Sequence, residues 1–280
     1  MMTLYESDAW SSILGWMSIA CWIVVYSPQI YENFQLKSGE GLSVLFVLIW
    51  LAGDLCNLVG ASLAGLLPTI IILAAYYTVC DIILLIQIYY YRWSNLHRAS
   101  TSLLVAEDAV PGHMPSEETP LIASGTDARR NAKRAALIQA TKYGGALIFV
   151  LATGVAAWAI DQKLHRAQLR APSKEVFEWR SQVLGWISAV LYIGARIPQI
   201  VKNLKTKCEG LSPALFLFSI AGNVTYVLSI LVASMDLDHI AANAGWIAGS
   251  SLTVFLDVFV LGQFFYYQTS NRSRTLAAGP

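Results

Sequence analysis

Seven stretches of this chain, roughly 10–31, 43–64, 69–91, 143–161, 181–201, 212–233 and 244–267, are apolar over close to the ~20 residues needed to cross ~30 Å of hydrocarbon. Hydrocarbon offers no water to backbone N–H and C=O groups, so each stretch can satisfy its own backbone only as a helix. Composition agrees. Of 280 residues, 56% are hydrophobic and 13% charged, which is more apolar surface than a soluble core of this length can hide. The predicted class is an all-α integral membrane protein with seven transmembrane helices in a lipid bilayer.

The net charge of +1 says little; the placement of charge says more. Glu6 and Asp8 precede the first span without a basic residue, whereas Arg92, Arg98, Arg129, Arg130, Lys133, Arg134 and Lys142 crowd the connection between spans three and four. Basic residues mark the cytoplasmic side. A lumenal N-terminus and a cytosolic C-terminus put thirteen basic residues on the cytosolic face and five opposite, with Arg196 inside a span. Met1 to Ser12 lacks a basic run and a small-residue cleavage site, and is expected as a mature N-terminus rather than a signal peptide. Cys21, Cys56, Cys80 and Cys208 have neither disulfide nor metal-ligand spacing, so free thiols and no metal are expected.

A duplication orders the spans. Leu14 to Phe34 and Leu184 to Leu204 share nine of 21 aligned residues, among them Leu-Gly-Trp, Pro-Gln-Ile and a trailing Asn. Downstream, Gly39 to Ser43 matches Cys208 to Ser212, Ala52 to Asn57 matches Ala221 to Tyr226, and Asp81 to Tyr91 matches Asp257 to Tyr267. Each repeat is thus read as three helices, 10–91 and 181–267. Three crossings end on the opposite face from their start, so two parallel copies need one more helix between them, which 143–161 supplies. The expected plan is 3+1+3 about an axis along the membrane normal. Residues 92–142 read as a disordered cytosolic linker, with Ser100 to Ala128 rich in Ser, Pro, Gly and acid, and 268–280 as a cytosolic tail.

Pro28 and Pro198 fall near the cytosolic ends of the first helices of the two repeats, where a proline removes a backbone hydrogen bond and clashes one turn back. A single such proline reads as a static kink; two at equivalent places point to hinges. Gln29 and Gln199 can each donate to a freed carbonyl or to a ligand. With these residues the chain resembles the PQ-loop family, which contains cystinosin and shares its seven-helix plan with the SWEET sugar exporters and the KDEL receptor. Gly53 to Gly60, with Asp81 and Gln87 before Tyr89 to Tyr91, is most similar to the lysosomal and vacuolar cationic amino-acid transporters. That resemblance implies movement of lysine, arginine and histidine across an acidic organelle's membrane, by alternating access about the prolines.

The residues point the same way by themselves. Asp54, Asp81 and Asp257 lie near the middle of spans, where an aspartate costs about 2.5–3.5 kcal/mol on insertion scales and so faces a polar interior. Asp54 is the expected counter-charge for a cationic substrate, with Asn57 a turn away and Asn223 at its repeat-equivalent position. Asp81 and Asp257 are read either as buried structural groups or as proton sites, protons then being a second partner. Arg196 stands where the first repeat has Tyr26. It is read as snorkelling to the interface, pairing with an aspartate, or acting as a gate against cationic substrate. Tyr and Trp at span ends are expected as interfacial anchors, and Trp16 and Trp186 as packing or cavity walls.

No nucleophile with a base and no phosphate cradle appears, so neither an enzyme nor a cofactor is expected, and nothing points to nucleic acid. Two alternatives to a basic amino-acid carrier are a seven-helix receptor or nutrient sensor and a proton-coupled cystine carrier. In the linker, Glu117 lies four residues before Leu121-Ile122, the pattern of an acidic dileucine signal read by clathrin adaptors. Replacing Leu121 and Ile122 with Ala should move tagged protein from the vacuole or lysosome to the cell surface or an earlier compartment. Unchanged residence by fluorescence microscopy would remove the signal.

Overall fold

Equal Pro-Gln motifs give unequal helices. In the computed structural model, which describes residues 4–63, 68–107, 125–165 and 179–277, α1 (Leu4–Val24) stops short of Pro28 and α2 (Ser27–Leu36) restarts with that proline in its first turn. A first-turn proline lacks only an N–H that would go unbonded anyway. Pro198, by contrast, lies inside the unbroken α6 (Trp179–Thr206). The other helices are α3 (Val44–Leu63), α4 (Pro68–Glu107), α5 (Gly125–His165), α7 (Pro213–Ala233), the short α8 (Leu237–Ala242) and α9 (Ala244–Ala277). Among the described residues seven helical stretches are long and apolar enough to cross a membrane, the first being α1 and α2 together. Among the described residues no strand occurs.

The connection expected to be irregular from 92 to 142 is helical at both ends, since α4 runs on to Glu107 and α5 begins at Gly125. Its acidic dileucine residues, Glu117, Leu121 and Ile122, lie outside the described residues.

The most extensive packing joins the repeats: α1 lies against α7 and α3 against α6, and these two pairs are equivalent under the duplication. Within the repeats α3 packs on α4, and α9 on both α6 and α7, while α5 lies along α1. Small residues permit the close approaches. A Cβ at Gly154 would sit 2.6 Å from Met17 Cα, and one at Gly53 2.7 Å from the Tyr192 ring. Phe46, Trp50, Leu84, Ile88, Leu215 and Phe216 fill the interior, whereas Ile72, Phe149 and Phe255 point outward, as a lipid-facing surface requires.

At the Pro-Gln end each glutamine reaches across to the other repeat. Gln29 Nε2 donates to the Gly210 carbonyl (3.0 Å), and its Oε1 accepts from the Ser212 N–H (2.8 Å). Gln199 Nε2 donates to the Gly41 carbonyl (3.1 Å), and its Oε1 accepts from the Ser43 N–H (2.7 Å). The sequence offers these amides a freed carbonyl or a ligand; the structure sends them to the opposite loop. Both glutamines are held by equivalent chains. Gln29 donates to Asn33, Asn33 to Gln87, and Gln87 to the Ile30 carbonyl; Gln199, Asn203, Gln263 and the Ile200 carbonyl repeat the pattern.

The clamped loops touch backbone to backbone. A Cβ on Gly41 would lie 1.8 Å from the Gly210 oxygen, and Gly210 takes a positive φ of 70°, so both positions require glycine. Glu40 adds a charged cluster on one side only. Arg92 Nε donates to it at 2.6 Å, and Lys202 Nζ lies 3.6 Å from it while donating to the Leu42 carbonyl at 2.8 Å. The Arg92 hydrogen bond holds the Glu40 carboxyl below its ordinary range, so the cluster stays charged at neutral pH and is lost only on acidification.

Cys208 lies in the second clamped loop, 4% exposed, and burial pushes its thiol up to about 11. Closed, it should alkylate slowly, because the thiolate is the reactive form. With the other cysteines replaced by Ala, Gln29→Ala/Gln199→Ala should speed maleimide labelling of Cys208 by roughly tenfold or more, as freed loops expose and ionise the thiol. An unchanged rate in folded protein would show that the glutamines do not hold this end shut.

Candidate functional site

Beyond the clamp, α1, α3, α4, α6, α7 and α9 enclose a cavity of about 230 Å³. Drug-sized sites run to ~300–1,000 Å³, so this one suits a single small metabolite. Most of its walls are repeat-equivalent pairs, among them Ser18 and Ser188, Trp22 and Tyr192, Tyr26 and Arg196, Asp54 and Asn223, Asn57 and Tyr226, Tyr77 and Thr253. The cavity thus lies between the two repeats and ends at Tyr26 and Arg196, just before the prolines.

Asp54 is its hub, 2% exposed. Tyr26 Oη donates to Oδ2 (3.0 Å) and Tyr192 Oη to Oδ1 (2.5 Å). Asn57 Nδ2 donates in turn to Tyr192 Oη (2.6 Å), which turns the Asn57 carbonyl away; that Oδ1 is buried without a partner. Both tyrosine hydroxyl protons are spent on Asp54 and the Asn57 amide donates to Tyr192, so these groups hold the carboxylate without bringing a cation to it. Aromatic faces flank them: Tyr26 stacks on Trp50 with centroids 5.2 Å apart, and Trp22 meets Tyr77 at 6.0 Å. An acceptor-rich, ring-lined box with a carboxylate fits a donor-rich cation.

The remaining aspartates do not line the cavity. Asp81 is fully buried in α4, behind Tyr26 and Asp54, and neither carboxylate oxygen has a hydrogen-bond partner. Asp257 is fully buried in α9 against Arg196: Nε donates to Oδ1 (2.9 Å), Nη2 to Oδ2 (3.3 Å), and Ser219 Oγ donates to Oδ2 (2.6 Å). Arg196 also donates to the Tyr192 carbonyl (3.1 Å) and lies 4.9 Å from the Trp50 ring and 5.5 Å from Phe46. Snorkelling is excluded, because the side chain is 1% exposed. Its pairing with an aspartate is the arrangement found. Asn223 lines the cavity and donates to the Ser219 carbonyl (3.0 Å).

Sequence reasoning missed Tyr26, Tyr192, Trp22, Trp50 and Ser219. A signal was there: Ser18, Trp22 and Tyr26, like Ser188, Tyr192 and Arg196, recur at every fourth residue before the prolines and so share one helix face. Trp16 and Trp186 are not cavity walls; Trp186 packs over Gly245 and is 47% exposed. Removing one partner of a buried pair strands the other's charge, so Arg196→Gln should lower stability by about 3–5 kcal/mol. Arg196→Gln/Asp257→Asn should recover most of that loss, measured by thermal melting in detergent, and a harmless single variant would contradict a structural ion pair.

Two segments, 10–70 and 181–238, match the PQ loop repeat family. The chain is 39% identical to the vacuolar lysine transporter of Saccharomyces cerevisiae across 94% of either chain. It is 32% identical to the vacuolar arginine/histidine antiporter of that yeast, over 95% of this chain and 87% of the other. Against the human lysosomal amino acid transporter 1 homolog it is 29% identical, over 96% of this chain and 87% of that one. With duplicated Pro-Gln motifs at the clamp and full-length relatives of this kind, the chain belongs to the PQ-loop repeat family.

Proposed function

We propose that this protein is a transporter of basic amino acids, lysine, arginine and histidine, in a vacuolar or lysosomal membrane. One observation carries the substrate class: Asp54 and Asn57 line a small cavity between the repeats, and no cation of the protein's own pairs with Asp54 among the described residues. The names of the full-length relatives, which specify lysine, arginine and histidine, agree with that chemistry.

In this reading the repeats follow the 3+1+3 plan, the N-terminus is lumenal and the Pro-Gln end faces the cytosol. The cavity lies on the lumenal side of the clamp, so the conformation is closed to the cytosol. Substrate enters from the lumen, its cationic head meets Asp54, and Asn57 and Asn223 supply neutral polar contacts. Alternating access then requires the glutamines to release the opposite loops while the helices hinge at Pro28 and Pro198. Intramembrane side-chain hydrogen bonds average about 0.6 kcal/mol, so the four cross-repeat bonds are together a barrier of a few kcal/mol, within reach of binding energy. Asp81, buried behind Asp54 without a partner, is the candidate proton carrier. A clathrin adaptor reading Glu117, Leu121 and Ile122 would deliver the protein to its membrane.

The test is uptake of radiolabelled arginine into proteoliposomes holding purified protein, with lysine, histidine, cystine and glucose as competitors. Basic amino acids should compete, and Asp54→Asn should cut uptake by roughly tenfold or more, as loss of a charged hydrogen-bond partner predicts. Full uptake by the folded variant would remove Asp54 from the site, and flux of cystine or glucose instead would overturn the substrate class.

A further inference from the structure

The duplication makes it possible to ask what fills each carboxylate in turn. Asp257 and Asp81 are equivalent, and both are fully buried. Asp257 has two side-chain partners, Arg196 and Ser219. The residues equivalent to those partners in the first repeat are Tyr26 and Trp50, two rings stacked on one another. Neither brings Asp81 a cation: its polar neighbours are Asp54 and the Tyr26 hydroxyl, which donates to Asp54, and no hydrogen bond of normal geometry reaches either Asp81 oxygen. Asp54 is itself an added charge, since the second repeat has Asn223 there. One repeat therefore carries a carboxylate with a guanidinium built in; the other carries two carboxylates and no cation.

We propose that Arg196 is a built-in occupant of the second repeat's carboxylate, and that the cationic head of a basic amino acid binds only at the first repeat, held at Asp54 with Asp81 behind it. This rests on the reading of the cavity as a basic amino-acid site. Arg196 illustrates what the pocket chemistry does with a guanidinium: a bidentate carboxylate on its edge and the Trp50 ring 4.9 Å from its centre. Across the cavity Asp54 accepts from two tyrosine hydroxyls and from no cation, beside Asn57, with Trp50 and Trp22 alongside. A free guanidinium or ammonium completes that set, whereas a neutral head leaves it unmet. Selectivity for a cation then depends on Tyr26 not being an arginine, and Arg196 limits the two-repeat cavity to one cationic head.

The test moves the built-in cation. Tyr26→Arg places a guanidinium where Arg196 stands in the other repeat, within reach of Asp81 as Arg196 is of Asp257. Arginine binding to purified full-length protein is measured by calorimetry for the wild type, Tyr26→Arg, Tyr26→Phe and Arg196→Gln/Asp257→Asn, with thermal melting as the check on folding. Tyr26→Arg should fold and bind arginine at least roughly tenfold more weakly, with Tyr26→Phe clearly less affected, since it loses a hydroxyl but adds no competing charge. The Arg196→Gln/Asp257→Asn protein should still bind one arginine per protein, because the pair it replaces is closed on itself and is not the substrate's site. Wild-type affinity in folded Tyr26→Arg would overturn the proposal, as would an equal loss in Tyr26→Phe. Should Tyr26→Arg fail to fold, the double variant decides by stoichiometry: one arginine bound per protein supports a one-sided site, and no bound arginine overturns it. Binding of no basic amino acid by the wild type would overturn the substrate reading itself, an outcome distinct from binding that survives Tyr26→Arg.

Discussion

Two glutamines, each rooted in one repeat and bonded to the backbone of the other, set the conditions for the rest of the molecule. Each meets a carbonyl and an N–H of the opposing loop and is itself fixed by an asparagine and a second glutamine. The prolines that precede them make this arrangement sensible. A proline interrupts the helix hydrogen-bond ladder and leaves a weak place in the backbone, and the next residue ties that place to the other half of the protein. Gly41 and Gly210 meet backbone to backbone, so the two loops are tightly closed on one another, and the cavity at Asp54 lies on the far side of the clamp.

Closure at one end confers meaning on the charges above it. Three carboxylates and one arginine are held within the spans, where an isolated charge is costly and an unpaired one costlier. The second repeat resolves its charge internally, through Arg196, Ser219 and Asp257. The first repeat keeps Asp54 at the cavity wall, restrained by two tyrosine hydroxyls but not neutralised. Most of the walls are matched pair by pair in position, so the difference between the halves lies in chemistry: aromatic rings where the other repeat has arginine and serine, and an aspartate where it has asparagine.

Parts of this were open to reading from the chain. Residue-by-residue duplication located Gln87 and Gln263 as counterparts, and they hold the same place in the two support chains. Arg196 could be seen to break the symmetry, and mid-span placement picked out Asp54, Asp81 and Asp257 alike, of which Asp54 alone lines the cavity. The wrong emphasis fell where contact partners mattered. A snorkelling arginine and a paired one have the same sequence, and the chain offers Gln29 and Gln199 a freed carbonyl or a ligand because nothing along it indicates that Gly210 and Gly41 are within reach.

By itself the sequence determined the helical class, the spans, the duplication and which residues occupy equivalent places, because backbone satisfaction in hydrocarbon and a shared alignment leave little choice. Tertiary structure alone decided which residues meet across the repeats: that Tyr192 of α6 bonds Asp54 of α3, that Asp257 of α9 takes Arg196 of α6, and that each glutamine closes the other repeat's loop. The physical reason is that a helix satisfies its backbone locally, whereas side-chain hydrogen bonds and ion pairs depend on how one helix is set against another. That setting comes from the packing of small residues and rings between helices, which no single span encodes.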